Sequence, residues 1–139
     1  MTGVCYPQST TKLTDITDGA ANTYLVGEKP MLPDLYETIQ HPNDDQSMYA
    51  GYDWDTIRFA DEQHRLMPDH RIPVSSKDPN YQYDTYLQHC YGSAHPACCH
   101  FVFCDGSVHG ISYDIDPVTH TRLANCADGF PVDKTEFTK

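Results

Sequence analysis

The chain has 139 residues, enough for one core, since a folded chain of this length hides roughly 68 to 70% of the surface that its unfolded form exposes. Twenty acidic against nine basic side chains give a formal charge of −11, which argues against nucleic acid and anionic lipid surfaces as partners and suits divalent cations or a basic protein. No apolar run approaches the about 18 residues of a spanning helix, Met1 to Val4 lacks the basic and apolar regions of a leader, and ten prolines with ten tyrosines argue against a helical bundle.

In chain order, Lys12 to Gly19 reads as one helical turn, with Thr14 placed to cap it and Gly19 to end it in a left-handed conformation. Asn22 to Glu28, rich in aromatic and β-branched residues, predicts a strand closed by Lys29-Pro30. Residues 30 to about 88 form a long loop-rich insertion punctuated by Pro33, Pro42, Pro68, Pro73 and Pro79. Partial alternation predicts two short strands within it, Ser47 to Tyr52 and Asp55 to Phe59.

The last third is clearer. Phe101 to Cys104 and Val108 to Tyr113 flank Asp105-Gly106, a dipeptide suited to the two positive φ angles of a type I′ hairpin turn. A two-residue loop pairs Phe103 with Val108 and Val102 with His109, which sends Phe101, Phe103 and Val108 to the core and leaves Val102, Ile111 and Tyr113 on the other face. Asp116-Pro117 then starts a short helix over about 117 to 126, with Leu123 and Val118 or Thr119 on its buried face and Gly129 ending the segment. The remainder is a polar tail.

Two ordered blocks in this pattern are familiar. Ile16 to Lys29 resembles the opening block of a large planctomycete-type family of unknown function. His95-Pro96, with nine residues before Asp105-Gly106, resembles that family's prepilin-type processing-associated signature, His-x(9)-Asp-Gly. Ile115-Asp116-Pro117 and Ala127-Asp128-Gly129 resemble its close. Two blocks at the right separation are far more specific than either alone.

The resemblance implies a pseudopilin-like protein, related to type II secretion and type IV pilins, with an α+β head: a mainly antiparallel sheet and a short C-terminal helix. The family's motif residues, here His95, Asp105, Gly106, Asp18, Gly19, Gly27 and Glu28, then serve as structure, and no catalytic activity is implied. Full-length members carry a prepilin leader and a long apolar helix, so the chain reads as one C-terminal head domain over 1–139, a shortened relative, or a product with an upstream start. Cys98 and His100 after His-Pro, and Cys126, depart from the family pattern.

Those additional residues invite metal and cross-linking chemistry. Cys5, Cys90, Cys98, Cys99, Cys104 and Cys126 are an even number, which permits up to three disulfides and argues for an oxidising, extracytoplasmic setting. Cys99 and Cys104 lie about 16 Å apart in an extended strand, beyond the about 7 Å of bridged Cα atoms. A zinc site from His100, Cys104 and His109 fails the same ruler, because His100 and Cys104 are about 13 Å apart. Calcium is the better metal candidate, with Asp44, Asp45, Asp53 and Asp55 offering oxygens, although no resident cofactor is expected. His95 with Asp105, and Ser93 beside them, could form an acid/base and nucleophile set, but no nucleophile elbow or oxyanion element accompanies them.

The sequence therefore predicts a non-catalytic structural or assembly protein at the cell surface, partnered by itself or by other pilin-like proteins. The rivals are a secreted module that binds calcium or a glycan, and a hydrolase using His95.

Overall fold

A computed structural model of the chain describes residues 3–38, 46–47, 49–53, 56–69, 89–133, 135 and 137. Its architecture follows from one amphipathic strand. Along β4 (Cys98–Phe103), burial alternates, so that Cys99, Phe101 and Phe103 are wholly enclosed while Cys98, His100 and Val102 are half-buried. That period of two is what a pleated strand requires when only one face meets the core.

β1 (Tyr24–Gly27) and β5 (Val108–Ser112) flank β4 antiparallel, giving a three-stranded sheet in the order β1-β4-β5. β2 (Met67–Pro68) and β3 (Gly92–Ser93) form a small parallel pair that the sequence pattern did not announce. One helix, α1 (Pro117–Leu123), follows the sheet. The result is the predicted α+β class, with a mainly antiparallel sheet and a short C-terminal helix.

The core gathers Tyr24, Leu66, Cys99, Phe101, Phe103, Ile111, Leu123, Val132 and Phe137. Tyr24 stacks on Phe101 with ring centroids 4.0 Å apart, and Phe103 stacks on Phe137 at 5.3 Å. Each large side chain enclosed in this way contributes about 1.5–3 kcal/mol.

The hairpin turn differs from expectation. A type I′ turn needs positive φ at both central residues, yet Gly106 has φ +84° and the only non-glycine residue with positive φ among those described is Gln8. Gly106 N–H donates to the Phe103 carbonyl and Phe103 N–H to Ser107, both at 2.9 Å. This is a three-residue loop that closes on a left-handed glycine, so Val102 opposes Val108 and Phe101 opposes His109.

The extra loop residue shifts the register by one, and a shift of one exchanges faces. Val108 therefore lies outside, 61% exposed, while Ile111 joins the core opposite Cys99. His109, expected on the face of His100, instead sets its ring edge against Phe103 and Phe137.

Other elements are corrected more locally. Thr14 caps nothing: the N–H of Lys12 is taken by the Asp15 carboxylate at 2.9 Å, around a 3-10 turn over Leu13–Asp15. Gly19 does adopt positive φ, +99°. The described residues of the two strands expected near 47–52 and 55–59 contain no strand. Ala50 N–H donates to the Ser47 carbonyl and Thr56 N–H to that of Asp53, while Phe59 N–H donates to the His89 carbonyl.

The helix stops at Leu123, where the Ala124 N–H is shared between the His120 and Thr121 carbonyls. Its start is as predicted, with the Asp116 carboxylate accepting from Thr119 N–H at 2.9 Å. Its buried face holds Thr119, His120 and Leu123, whereas Val118 is exposed. No described helix is long and apolar enough to cross a membrane.

Candidate functional site

The outer face of the sheet carries the most concentrated ionisable chemistry, and a bulge in β1 creates it. Tyr24 pairs with Phe103 but Val26 pairs with Val102, so two steps along β1 match one along β4 and Leu25 is the extra residue. Without it, Glu28 would fall opposite Cys99 on the core face. With it, Glu28 aligns with His100, and its N–H donates to the His100 carbonyl at 3.3 Å.

Gly27, just before, lies against the core rings: a Cβ there would sit 2.5 Å from Phe101 and 2.7 Å from Tyr91. Only glycine lets β1 approach this closely. Gly92 is similarly confined, its Cβ position 2.2 Å from the Met67 carbonyl oxygen, and its N–H donates to the Glu28 carbonyl at 3.1 Å.

From β3 the chain turns through residues 94–97 into β4, and this loop is held by its own polar atoms. His95 N–H donates to Ser93 Oγ at 3.1 Å, Ser93 Oγ donates to the Cys98 carbonyl at 3.1 Å, and the Tyr113 hydroxyl reaches the His95 carbonyl at 2.7 Å. Pro96 restricts His95 to an extended backbone. The His95 ring then lies over Glu28.

One carboxylate thereby faces two imidazoles. Glu28 Oε1 is 3.4 Å from His95 Nε2, and Oε2 is 3.3 Å from His100 Nδ1 while accepting the His100 N–H at 2.7 Å. The two rings meet edge to face, centroids 4.6 Å apart. One donor atom from each residue lies within 4.8 Å of the others, the one such grouping of histidine, cysteine and carboxylate ligands among the described residues.

The remaining motif residues are spent on the backbone. Asp18 is buried, and its carboxylate accepts the N–H groups of Asp128 and Gly129 at 2.7 and 3.0 Å, joining the segment before β1 to the segment after α1. Asp105 accepts from Ser107 N–H and Oγ at 2.8 and 2.6 Å, inside its own turn. Cys104 and Asp105 N–H groups donate to the Thr23 and Ala20 carbonyls, binding the second block to the first.

His95 and Asp105 therefore stand at opposite ends of the six-residue β4, about 20 Å apart by strand rise. They form no acid/base pair. Ser93 is 3% exposed and holds the loop. His100, Cys104 and His109 do not converge either.

Of the calcium candidates, Asp44, Asp45 and Asp55 lie outside the described residues. Asp53 sits in the turn with Thr56. None of the six cysteines that could form disulfides is bridged in the structure. Alternation along β4 separates them, with Cys99 in the core and Cys98 on the outer face. Burial pushes the Cys99 thiol up to about 12, and burial with Cys5 and Cys126 nearby pushes Cys104 up to about 11, so neither is a ready thiolate.

A separate cleft of about 290 Å³ lies between the segment Gly3 to Pro7, the segment Ile57 to Asp61 and β1. It sits at the floor of the about 300–1,000 Å³ typical of small-molecule sites, and of the motif blocks it touches only Tyr24 and Leu25. Sequence reasoning missed the grouping of Glu28, His95 and His100 because it depends on the bulge, which shifts parity without leaving a composition mark. The usable signal was that Glu28 and His95 both belong to the motif blocks.

These features define a small α+β protein in which Asp18, Glu28 and the Asp105 turn hydrogen-bond its own segments together. The model of a family described as a protein of unknown function, DUF1559, matches residues 1–118, and the chain belongs to that family. No curated protein and no solved structure matches it.

Proposed function

We propose that this protein is a non-catalytic, extracytoplasmic structural or assembly module of pseudopilin-like type, one head domain that associates with itself or with other pilin-like surface proteins. The observation that carries the reading is the use made of the motif side chains. Asp18 and Asp105 direct their carboxylates to backbone N–H groups, and Glu28 spans β1 and β4. Residues used in this way set chain geometry, which is what an assembly subunit must hold constant.

The outer sheet face supports association. Val26, Val102 and Val108 align across the three strands, and Val26 and Val108 are 58% and 61% exposed. β1 and β5 are the outer strands of the described sheet, the positions at which a further strand would add. The charge of −11 opposes dense self-packing at low salt, so association should strengthen as salt screens it.

Negative-stain imaging and light scattering of the full chain across a salt series test this. Regular fibres or a discrete oligomer that Val26→Asp with Val108→Asp dissolves are expected. A chain that stays monomeric at every salt concentration, alone and with pilin-like partners, would contradict it.

A further inference from the structure

We propose that Glu28, His95 and His100 bind one divalent transition-metal ion of the zinc class, which pins the end of β1 to the loop entering β4. The grouping of three donor atoms within 4.8 Å of one another carries the assignment, and two distances support it. A charge-assisted hydrogen bond between imidazole and carboxylate spans about 2.7–2.9 Å. The ring nitrogens instead stand 3.4 and 3.3 Å from the two oxygens. Zinc bonds of about 2.0–2.1 Å at tetrahedral angles place neighbouring donors about 3.4 Å apart. Each imidazole thus stands at about ligand spacing from one Glu28 oxygen, and the three donor atoms, all within 4.8 Å of one another, are close enough for one ion to draw together.

The donor types agree. Two imidazoles with one carboxylate form a borderline set that suits zinc and its first-row neighbours better than calcium, which takes six to eight oxygens. Three protein donors leave a fourth position, and the half-exposed side chains leave it facing solvent, where water completes the shell.

The site is also held before any ion arrives. The His100 N–H and carbonyl are both bonded to Glu28, and the His95 N–H and carbonyl are bonded to Ser93 and Tyr113. Little ordering remains to be done on binding. The negative field of the whole chain raises the local cation concentration.

Calorimetric titration of the reduced full chain with zinc ion alone, after chelator treatment, reads the stoichiometry. One equivalent is expected, with saturable binding lost in the double variant His95→Ala/His100→Ala and retained in Cys104→Ser/Cys126→Ser. Side-chain nitrogen resonances of His95 and His100 in the wild type should shift on the same titration, a readout that needs no variant to fold. Uptake that survives the histidine changes, uptake that follows the cysteines, or no uptake at all would each overturn the assignment. Fibre formation plays no part in these readouts, so their failure leaves the assembly reading untouched, and the reverse holds too.

Discussion

β4 ends in two very different ways. At one end, the Gly106 N–H and the Asp105 carboxylate bond within a few residues, and the Cys104 and Asp105 N–H groups donate to the Thr23 and Ala20 carbonyls. At the other, Glu28 from β1, His95 from a loop and His100 from β4 meet across as many as 72 residues of chain. The first end is shaped by local stereochemistry and tied to the opening segment through backbone groups alone. The second is assembled by the fold, so it can carry a function that the fold itself does not require.

Substitutions should separate the two ends by size and by kind. The largest effect is expected from Gly92→Ala beneath the assembled end, because the new methyl group would meet the Met67 carbonyl oxygen at 2.2 Å. Backbone must move, at about 3 kcal/mol or more, or the chain fails to fold. Urea unfolding followed by circular dichroism measures it, and a near-neutral result would place β2 elsewhere.

Acid should act nearly as strongly between the two ends. His120 is fully enclosed, its Nδ1 3.3 Å from the Tyr24 hydroxyl and its ring beside Tyr91 and Phe101, and burial lowers its pKa from 6.5 to about 4 despite the pull of Asp61. The unfolded chain therefore binds this proton more tightly than the folded one. The contribution is fully present above the unfolded value and is lost as pH falls from about 6.5 toward 4, amounting to about 3 kcal/mol. His120→Phe should flatten that part of the stability profile.

The Asp105-Gly106 turn should respond less. Gly106→Ala forces a Cβ into φ +84°, where the cost is about 1–2 kcal/mol, and nothing nearby clashes with the added methyl group. A cost within error of zero would mean that the loop can rebuild itself. His95→Ala should be milder still without metal, under about 0.5 kcal/mol, because its ring is exposed and surface ion pairs contribute little. With zinc present the same change should remove the stabilisation that the ion confers.

Much of the fold was readable because its signals are local. The strand before Asp105-Gly106, read as Phe101 to Cys104 and found over Cys98–Phe103, the Asp116-Pro117 helix start and glycine at positions 19 and 106 each depend on a few adjacent residues. The turn type was not, since Asp105-Gly106 suits both a two-residue loop and a longer loop closed by glycine, and only the positions of Cys104 and Ser107 decide between them. That one-residue difference carried Val108 and Ile111 to the wrong faces. The Glu28, His95 and His100 grouping was hidden by Leu25, whose insertion into β1 has no sequence mark. His120 was missed because a histidine on a short helix is ordinarily solvated, and its three-residue spacing from Leu123 was the available clue.

The central claim is that Asp18, Asp105 and Glu28 act as architecture, and Asp18 tests it most directly. It is buried, and its carboxylate holds the Asp128 and Gly129 N–H groups 110 and 111 residues away. Asp18→Ala leaves those donors without an acceptor, at about 2–3 kcal/mol. Hydrogen exchange read by nuclear magnetic resonance should show the Asp128 and Gly129 amides protected in the wild type and exposed in the variant, with the urea midpoint lowered to match. Unchanged protection and an unchanged midpoint would contradict the account.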